Sequence, residues 1–471
     1  MDDDVRWRNL LSWLEDHGMD KGESSLHVQR RQIYEGTNYY GLFTTKTVLP
    51  STKLFNIPKT ALMNIKTLSS HYGSAMKSLS ATQLISLHLL LHRPRPDEDS
   101  LEPLFGPYIS TLPRNFDYHP LSWITKSINT ALLELLPPST KQALHDLSLK
   151  FQNDLATVSL FVRDHPQLLE ATPKRSSASL EWDESLKDDY LWAWLNVNTR
   201  CVYYQVKNPS SHPDNITLCP ILDFANHSSH LPCMESPFSG KPNLRPDLYR
   251  DFSLISPSQT SVDTDTELYL KYGAHCNRVL FVEYGFVLPI DSIPETHRAL
   301  EVNVDDIVDA FLVDKGETGS WLKEILTLEN YWRYTPHVFD LFVQIDELSF
   351  AFRDWTMHYA SGSVFPSYRL VTALRLLAIF PSGSLLPTAS SEDLLRPWKD
   401  VVLGKRETLA NKYEDIFRSI LRDVCTTVIE RATKALQRCK LKEQESIMVL
   451  WLEERYVAER MLDLIESGEV L

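Results

Sequence analysis

The sequence predicts an α+β chain in which a β-rich module occurs in two pieces, with helices inserted between them and a helical domain behind. Three observations predict it. Residues 26–62, including "VQRRQIYEGTNYYGLFTTKTVLPSTKLFNIP", carry short β-branched and aromatic runs broken by Gly and Pro, the texture of strands and turns. "TELYLKYG" and "VLFVEYGFVLP" repeat that texture and read as strands. Between the two pieces, 81–92 and 121–165 have helical periodicity, and from about Asp305 onward the chain reads mostly as helix.

Each element follows from its pattern. Residues 5–18 place Trp7, Leu10, Leu11 and Leu14 at the spacing of a short amphipathic helix. In the insert, Leu132, Leu133 and Leu136 precede the Pro137-Pro138 break, and Leu144, Leu147 and Phe151 follow it. "ATPKRSSASLE", 171–181, is polar and reads as a connection. "YLWAWLNVNTRCVYYQV" is a helix passing into a strand. The stretch 406–437 puts Leu409, Tyr413, Phe417, Ile420, Val424 and Val428 on one helical face, more simply core between helices than a partner groove. A second helix is expected from about Glu443 to Glu466. The expected divisions are an N-terminal helix at 1–25, a first β-rich part at 26–80, a helical insert at 81–185, a second β-rich part at 186–300, and a helical domain at 301–471.

Composition narrows the function. At 471 residues the chain exceeds what one hydrophobic core fills, so two or three packed units are expected. A formal charge of -14 speaks against nucleic acid as a partner, which needs Lys and Arg to neutralise phosphates, and leaves a basic peptide as a fitting one. The six cysteines form no C-x-x-C pair and read as reduced thiols of the cytosol or nucleus. The acidic start "MDDDVRWRNLLSWLEDHG" lacks the basic character of a signal or transit peptide, and no apolar run approaches a membrane span. No metal is expected. His88 and His92 in "HLLLH" have a spacing that can bind metal on a helix, but the adjacent Glu of H-E-x-x-H is missing, so a packed or surface pair is the simpler account.

Three separated stretches break their local pattern: "NYYGLFTTK", with Gly41; "CPILDFANHSSH", an apolar run holding an acid and ending in polar side chains; and "YLKYGAHCNRVLFVEYGF", with Tyr-Gly at 272 and again at 284. Singly, each has an ordinary reading as a turn or strand end. Together and in this order they resemble the SET domain of protein methyltransferases that use S-adenosylmethionine. More narrowly, they resemble the branch containing plant Rubisco large-subunit methyltransferase and SET domain-containing protein 4. The matching residues are Gly41-Leu42-Phe43, Arg200 in "VNTRCVY", Asp223 to His227 as D-x-x-N-H, and "YGAHCNRVLFVEYGF". "PYISTLPRNFDYHPLSW" (107–123) looks like the helical insert of this branch, and "PSYRLVTALRLLAI" (366–379) like its C-terminal substrate-binding domain.

The resemblance implies a SET domain split by a helical insert and followed by an all-helical substrate-binding domain. It also implies S-adenosylmethionine as cofactor and a lysine side chain of a protein as methyl acceptor. Tyr40, Gly41, Leu42, Arg200, Asp223, Asn226 and His227 would hold the cofactor. Tyr284 matches the catalytic tyrosine, with Tyr272 as a second wall of the lysine channel. The first motif departs from the family at one place: it reads Tyr39-Tyr40-Gly41-Leu42 where Gly-x-Gly-Leu is usual, and a positive φ there would be costly for tyrosine. Histidine as acceptor, and a SET-fold binding module with weak catalysis, are the alternatives. A monomer in the cytosol or nucleus, away from membranes, is expected.

Overall fold

A computed structural model describes residues 3–19, 26–34, 37–72, 78–95, 97–170, 184–237, 249–331, 355–380, 391–439 and 444–468. The polar connection expected at 171–181 lies outside them. Among the described residues no helix is long and apolar enough to cross a membrane. The described residues divide into two compact units, those within 3–126 and 147–273, and those within 127–146, 274–331 and 355–468.

The first unit carries a four-stranded sheet in the order Leu26–Tyr34, Thr37–Thr44, Glu267–Leu270, Asn226–His227. The first three strands are antiparallel, with Gln29 opposite Gly41 and Leu42 opposite Leu268, and the last is parallel to its neighbour. Two smaller pairings, Lys53–Ile57 with Phe252–Ile255 and Val202–Tyr203 with Ile216–Thr217, complete the β-structure of this unit.

Helices of the same unit pack on one another. Ala81–Leu91 begins at a capping box in which the Ser80 hydroxyl accepts the Gln83 N–H and the Gln83 side chain accepts the Ser80 N–H. It packs against Glu184–Arg200, a helix buried almost all round because Tyr190, Trp192 and Trp194 face core on several sides. Asp154 ties these helices together: its two oxygens accept from Gln83 Nε2 at 2.8 Å and Trp194 Nε1 at 2.9 Å. Phe151, one turn earlier, stands edge-on to Trp194 at 5.6 Å.

The second unit packs helices on an antiparallel sheet ordered Ser363–Pro366, Thr356–Ala360, Ala299–Asn303. The helical C-terminal part is as expected. Asn411–Arg438 buries Phe417, Val424 and Val428 in the core, with Tyr413 and Ile420 packed against it, and Glu445–Ser467 adds Val457 and Met461. The hairpin strands Thr356–Ala360 and Ser363–Pro366 refine the all-helical expectation.

One expectation is corrected. "VLFVEYGFVLP" is not a strand: Asn277–Val279 is helical and continues as a wide π-type turn, Leu280–Tyr284. The turn is held at both ends. Gly285 takes φ +81° and returns its N–H to Phe281, a left-handed cap that suits glycine. The Asn277 side chain exchanges hydrogen bonds of 2.6 and 2.9 Å with the Leu288 backbone.

Asp154→Ala removes at once the acceptor of the buried Trp194 indole and of the half-buried Gln83 amide. It is expected to destabilise the folded chain by roughly 2–4 kcal/mol, measured as a lower urea midpoint at unchanged slope.

Candidate active site

The site is built on the Asn226–His227 strand. Asn226 lies opposite Tyr269 and His227 opposite Leu270 in the parallel pairing. The Asn226 amide donates both of its hydrogens, to the Tyr40 carbonyl at 3.1 Å and to Glu267 Oε1 at 2.7 Å. The other Glu267 oxygen accepts from the Tyr269 hydroxyl at 2.7 Å. Gly41 is required by this arrangement: a Cβ there would lie 2.5 Å from Glu267 Oε1. The carboxylate cannot swing away without releasing Asn226.

The approach to this strand is strained and tightly packed. Ile221 has φ +69° and ψ −50°, an uncommon conformation for a β-branched residue that costs on the order of 1–3 kcal/mol. Its side chain is 2% exposed, and that burial holds the backbone in place. The turn Leu222–Phe224 follows and sends two neighbouring side chains to different tasks. Phe224 packs edge-on to Trp7 at 5.7 Å and to Tyr40 at 6.5 Å. Asp223 is buried beside Arg200, whose Nη1 donates to the Asp223 carbonyl at 2.5 Å and lies 3.9 Å from Oδ2. The Tyr108 hydroxyl donates to the same Oδ2 at 3.0 Å.

Burial dominates the Asp223 carboxyl and pushes it up to about 6, against the pull of Arg200 and the Tyr108 hydrogen bond. Arg200 Nε and Asp223 Oδ1 are buried with no hydrogen-bond partner among the described residues. Such atoms are rare in a finished core and suit a polar ligand. Tyr272 closes the constellation. Its hydroxyl donates to the Ala225 carbonyl at 2.9 Å, its N–H donates to His227 Nδ1 at 3.2 Å, and its ring lies 5.2 Å from the imidazole. Nδ1 being the acceptor, a neutral His227 carries its proton on Nε2. Burial pushes the Tyr272 hydroxyl up to about 12, so it stays protonated near neutrality.

Eight of the nine residues singled out in the sequence, Tyr40, Gly41, Leu42, Arg200, Asp223, Asn226, His227 and Tyr272, belong to the first unit. Hydrogen bonds, an ion pair and a ring contact join Tyr40 to Asn226, Arg200 to Asp223 and His227 to Tyr272, while Gly41 lies against Glu267 and Leu42 is a fully buried strand neighbour. Tyr284 belongs to the second unit, at the end of the π-type turn, with the rings of His275 and Phe286 about 6 Å away, at 6.1 and 6.2 Å. Sequence reading missed Glu267, Tyr108 and Trp7. Glu267 had one signal, its i,i+2 spacing to Tyr269 in "TELYLKYG", which places both on one face of a strand.

The comparisons agree with this geometry. No protein-family model matches the chain. It is similar to SET domain-containing protein 4 of Homo sapiens, 23% identical over 99% of this chain and 96% of that protein. It is also similar to ribosomal lysine N-methyltransferase 2 of Saccharomyces cerevisiae, 26% identical over 57% of each. Among solved structures it resembles the SET domain of LSMT bound to lysine and AdoHcy, with TM-score 0.60 and 17% identity, covering 99% of this chain and 92% of that one. The fold is that of the SET domain. The relatives are those of the branch that the motifs resemble. A structure of Rubisco LSMT bound to AdoMet matches with TM-score 0.57 over 98% of this chain.

Because Asp223 is raised above its ordinary value of 3.8, the folded chain binds that proton more tightly than the unfolded one. The associated stability is present below about pH 4 and lost as pH rises through about 6, by roughly 2–3 kcal/mol. In urea titrations from pH 4 to 7, the stability of the wild type relative to Asp223→Asn should fall across this window. A constant difference would return the carboxyl to its ordinary range.

Proposed function

We propose that the chain is an S-adenosylmethionine-dependent protein-lysine N-methyltransferase. The observation that carries this reading is the Asn226 amide joined to Tyr40 and Glu267, which assembles the first motif and the Asn-His motif of a SET fold into one constellation. The named relatives support it: two curated ones are ribosomal lysine N-methyltransferases, and matching structures hold lysine, AdoHcy or AdoMet.

The residues fit the cofactor. Arg200 Nε and Asp223 Oδ1 offer an unused donor and an unused acceptor from one ion-paired couple, suited to a ligand carrying both an anionic and a cationic group. Tyr40, Gly41, Leu42, Arg200, Asp223, Asn226 and His227 would hold it. When bound, the cofactor supplies an electrophilic methyl group on a sulfonium. The rest of the chemistry is placement. A lysine amine attacks only when neutral, and desolvation in an aromatic channel favours the neutral form. The Tyr272 hydroxyl, protonated and donating to the Ala225 carbonyl, keeps its lone pairs as acceptors for an amine N–H. Tyr284 takes the corresponding role on the strength of its motif. The negative net charge supports a basic protein segment as substrate, and six free thiols support the cytosol or nucleus as compartment. We take the monomer as the working form.

Calorimetric titration with S-adenosylmethionine tests the reading without knowledge of the substrate. Micromolar binding by the wild type is expected, weakened at least tenfold in Asn226→Ala. A folded wild type that binds nothing would sink the proposal. Tyr284→Phe is expected to retain cofactor affinity while labelled methyl incorporation falls at least tenfold. Full transfer by that variant would remove Tyr284 from the chemistry.

A further inference from the structure

The histidine pair in "HLLLH" lacks the neighbouring glutamate of a zinc-protease motif, yet the fold supplies a glutamate from elsewhere. His88 lies in the last turn of the Ala81–Leu91 helix and His92 is its C-cap residue, so their rings stand 4.8 Å apart. The loop before the short helix Gly106–Ile109 brings Glu102 against them, with Oε1 3.9 Å from His88 Nε2. One ligand atom from each of the three residues lies within 4.8 Å of the others. His88 and Glu102 are buried, and His92 is half-buried.

We infer that His88, His92 and Glu102 form a three-ligand site for a divalent metal ion, zinc by its donor set. Two imidazoles and a carboxylate favour zinc over magnesium or calcium, which take oxygen ligands. Three protein ligands leave a fourth position for water. Around zinc the donor atoms stand on the order of 3.3 Å apart, so binding closes the widest pair by roughly 1.5 Å, within reach of side-chain adjustment.

The surroundings are those that orient metal ligands. Tyr72 Oη lies 2.6 Å from His88 Nδ1. When that nitrogen donates its hydrogen to the tyrosine oxygen, the Nε2 lone pair is turned toward Glu102, the tautomer a metal requires. Glu102 is fixed through its other oxygen, which accepts the backbone N–H groups of Leu104 and Phe105 and leaves Oε1 facing the imidazole. The loop itself is anchored. The Ser100 hydroxyl donates to the His92 carbonyl at 3.0 Å, and the Ser100 N–H donates to Ser110 Oγ at 2.8 Å. Gly106 lets the loop pass close, since a Cβ there would lie 2.9 Å from the Ser100 carbonyl oxygen. Half-buried His92 and exposed Leu101 and Leu104 leave a short path to solvent.

A buried carboxylate and a buried imidazole could instead form an ion pair. At 3.9 Å, however, Glu102 Oε1 and His88 Nε2 are beyond hydrogen-bond distance, and the His92 ring stands tilted against that of His88 at 4.8 Å. A metal uses all three. It would also brace the segment leading to Tyr108, the residue that donates to Asp223.

The test uses the full chain stripped with a chelator and desalted, then titrated with zinc against a chromophoric competitor. One equivalent bound with a sub-micromolar dissociation constant is expected. Glu102→Gln and His92→Gln, each checked for folding by circular dichroism, should weaken binding at least tenfold. Cobalt in place of zinc should give visible d–d bands without thiolate charge transfer, lost in both variants. No zinc bound at micromolar concentration, binding untouched by either variant, or a thiolate band placing the metal on cysteine would each overturn the assignment.

Discussion

The amide of Asn226 is the interaction on which the candidate site depends. One side chain donates to a backbone carbonyl 186 positions earlier and to a carboxylate 41 positions later, so it joins three segments that meet only in the fold. The consequences propagate through geometry. Glu267 must stand where Asn226 can reach it, and this occupies the space of a Cβ on residue 41. The Tyr269 hydroxyl takes the remaining carboxylate oxygen, which makes the network nearly complete. Satisfied buried networks of this kind specify one arrangement, because breaking any member leaves the others unpaired in low dielectric.

Beside that satisfied network lies one that is left incomplete. Asp223 is buried against a guanidinium and a phenol, and desolvation still outweighs both, since its carboxyl ends above the ordinary range. A carboxylate placed only for stability would have a full set of donors. Here Oδ1 and Arg200 Nε have none among the described residues, and the backbone entering the turn is strained at Ile221. Strain and unsatisfied polar atoms in one short stretch are what a ligand site looks like before its ligand is counted. The apolar residues Ile221, Leu222 and Phe224 supply the packing that holds this unfavourable geometry, which explains why an acid sits inside a hydrophobic run.

Much of this was legible in the sequence, and the failures have physical causes. The strand Thr37–Thr44 and the Asn-His segment announce themselves through pattern and motif. "VLFVEYGF" misled because β-branched and aromatic residues suit a buried helical turn as well as a strand. What decides between them is tertiary: the Asn277 clamp on Leu288 and the Glu453 carboxylate that accepts the Asn277 N–H. The strand Thr356–Ala360 was missed for the opposite reason. Flanked by two strands and buried at Thr356 through Tyr359, it lacks the alternation that marks a half-exposed strand. Glu267 was passed over because an acid in a strand reads as solvated until its partner is known. The third ligand of the histidine pair was invisible for the same reason, ten residues beyond His92 and in a loop.

The departure at Tyr39 is resolved by the same reasoning. If the first glycine of the motif were needed for a left-handed backbone, tyrosine would strain it. Residue 39 instead lies within the strand Thr37–Thr44, paired with Arg31 in regular antiparallel register, an extended conformation that any residue adopts. Gly41 belongs to the same strand, opposite Gln29, and its requirement is space for Glu267, not a special φ. The two positions therefore obey different constraints. Position 41 is closed to larger residues by a carboxylate that Asn226 holds in place. Position 39 is subject to no such backbone demand, so a tyrosine there is compatible with the strand and with an intact Asn226 network.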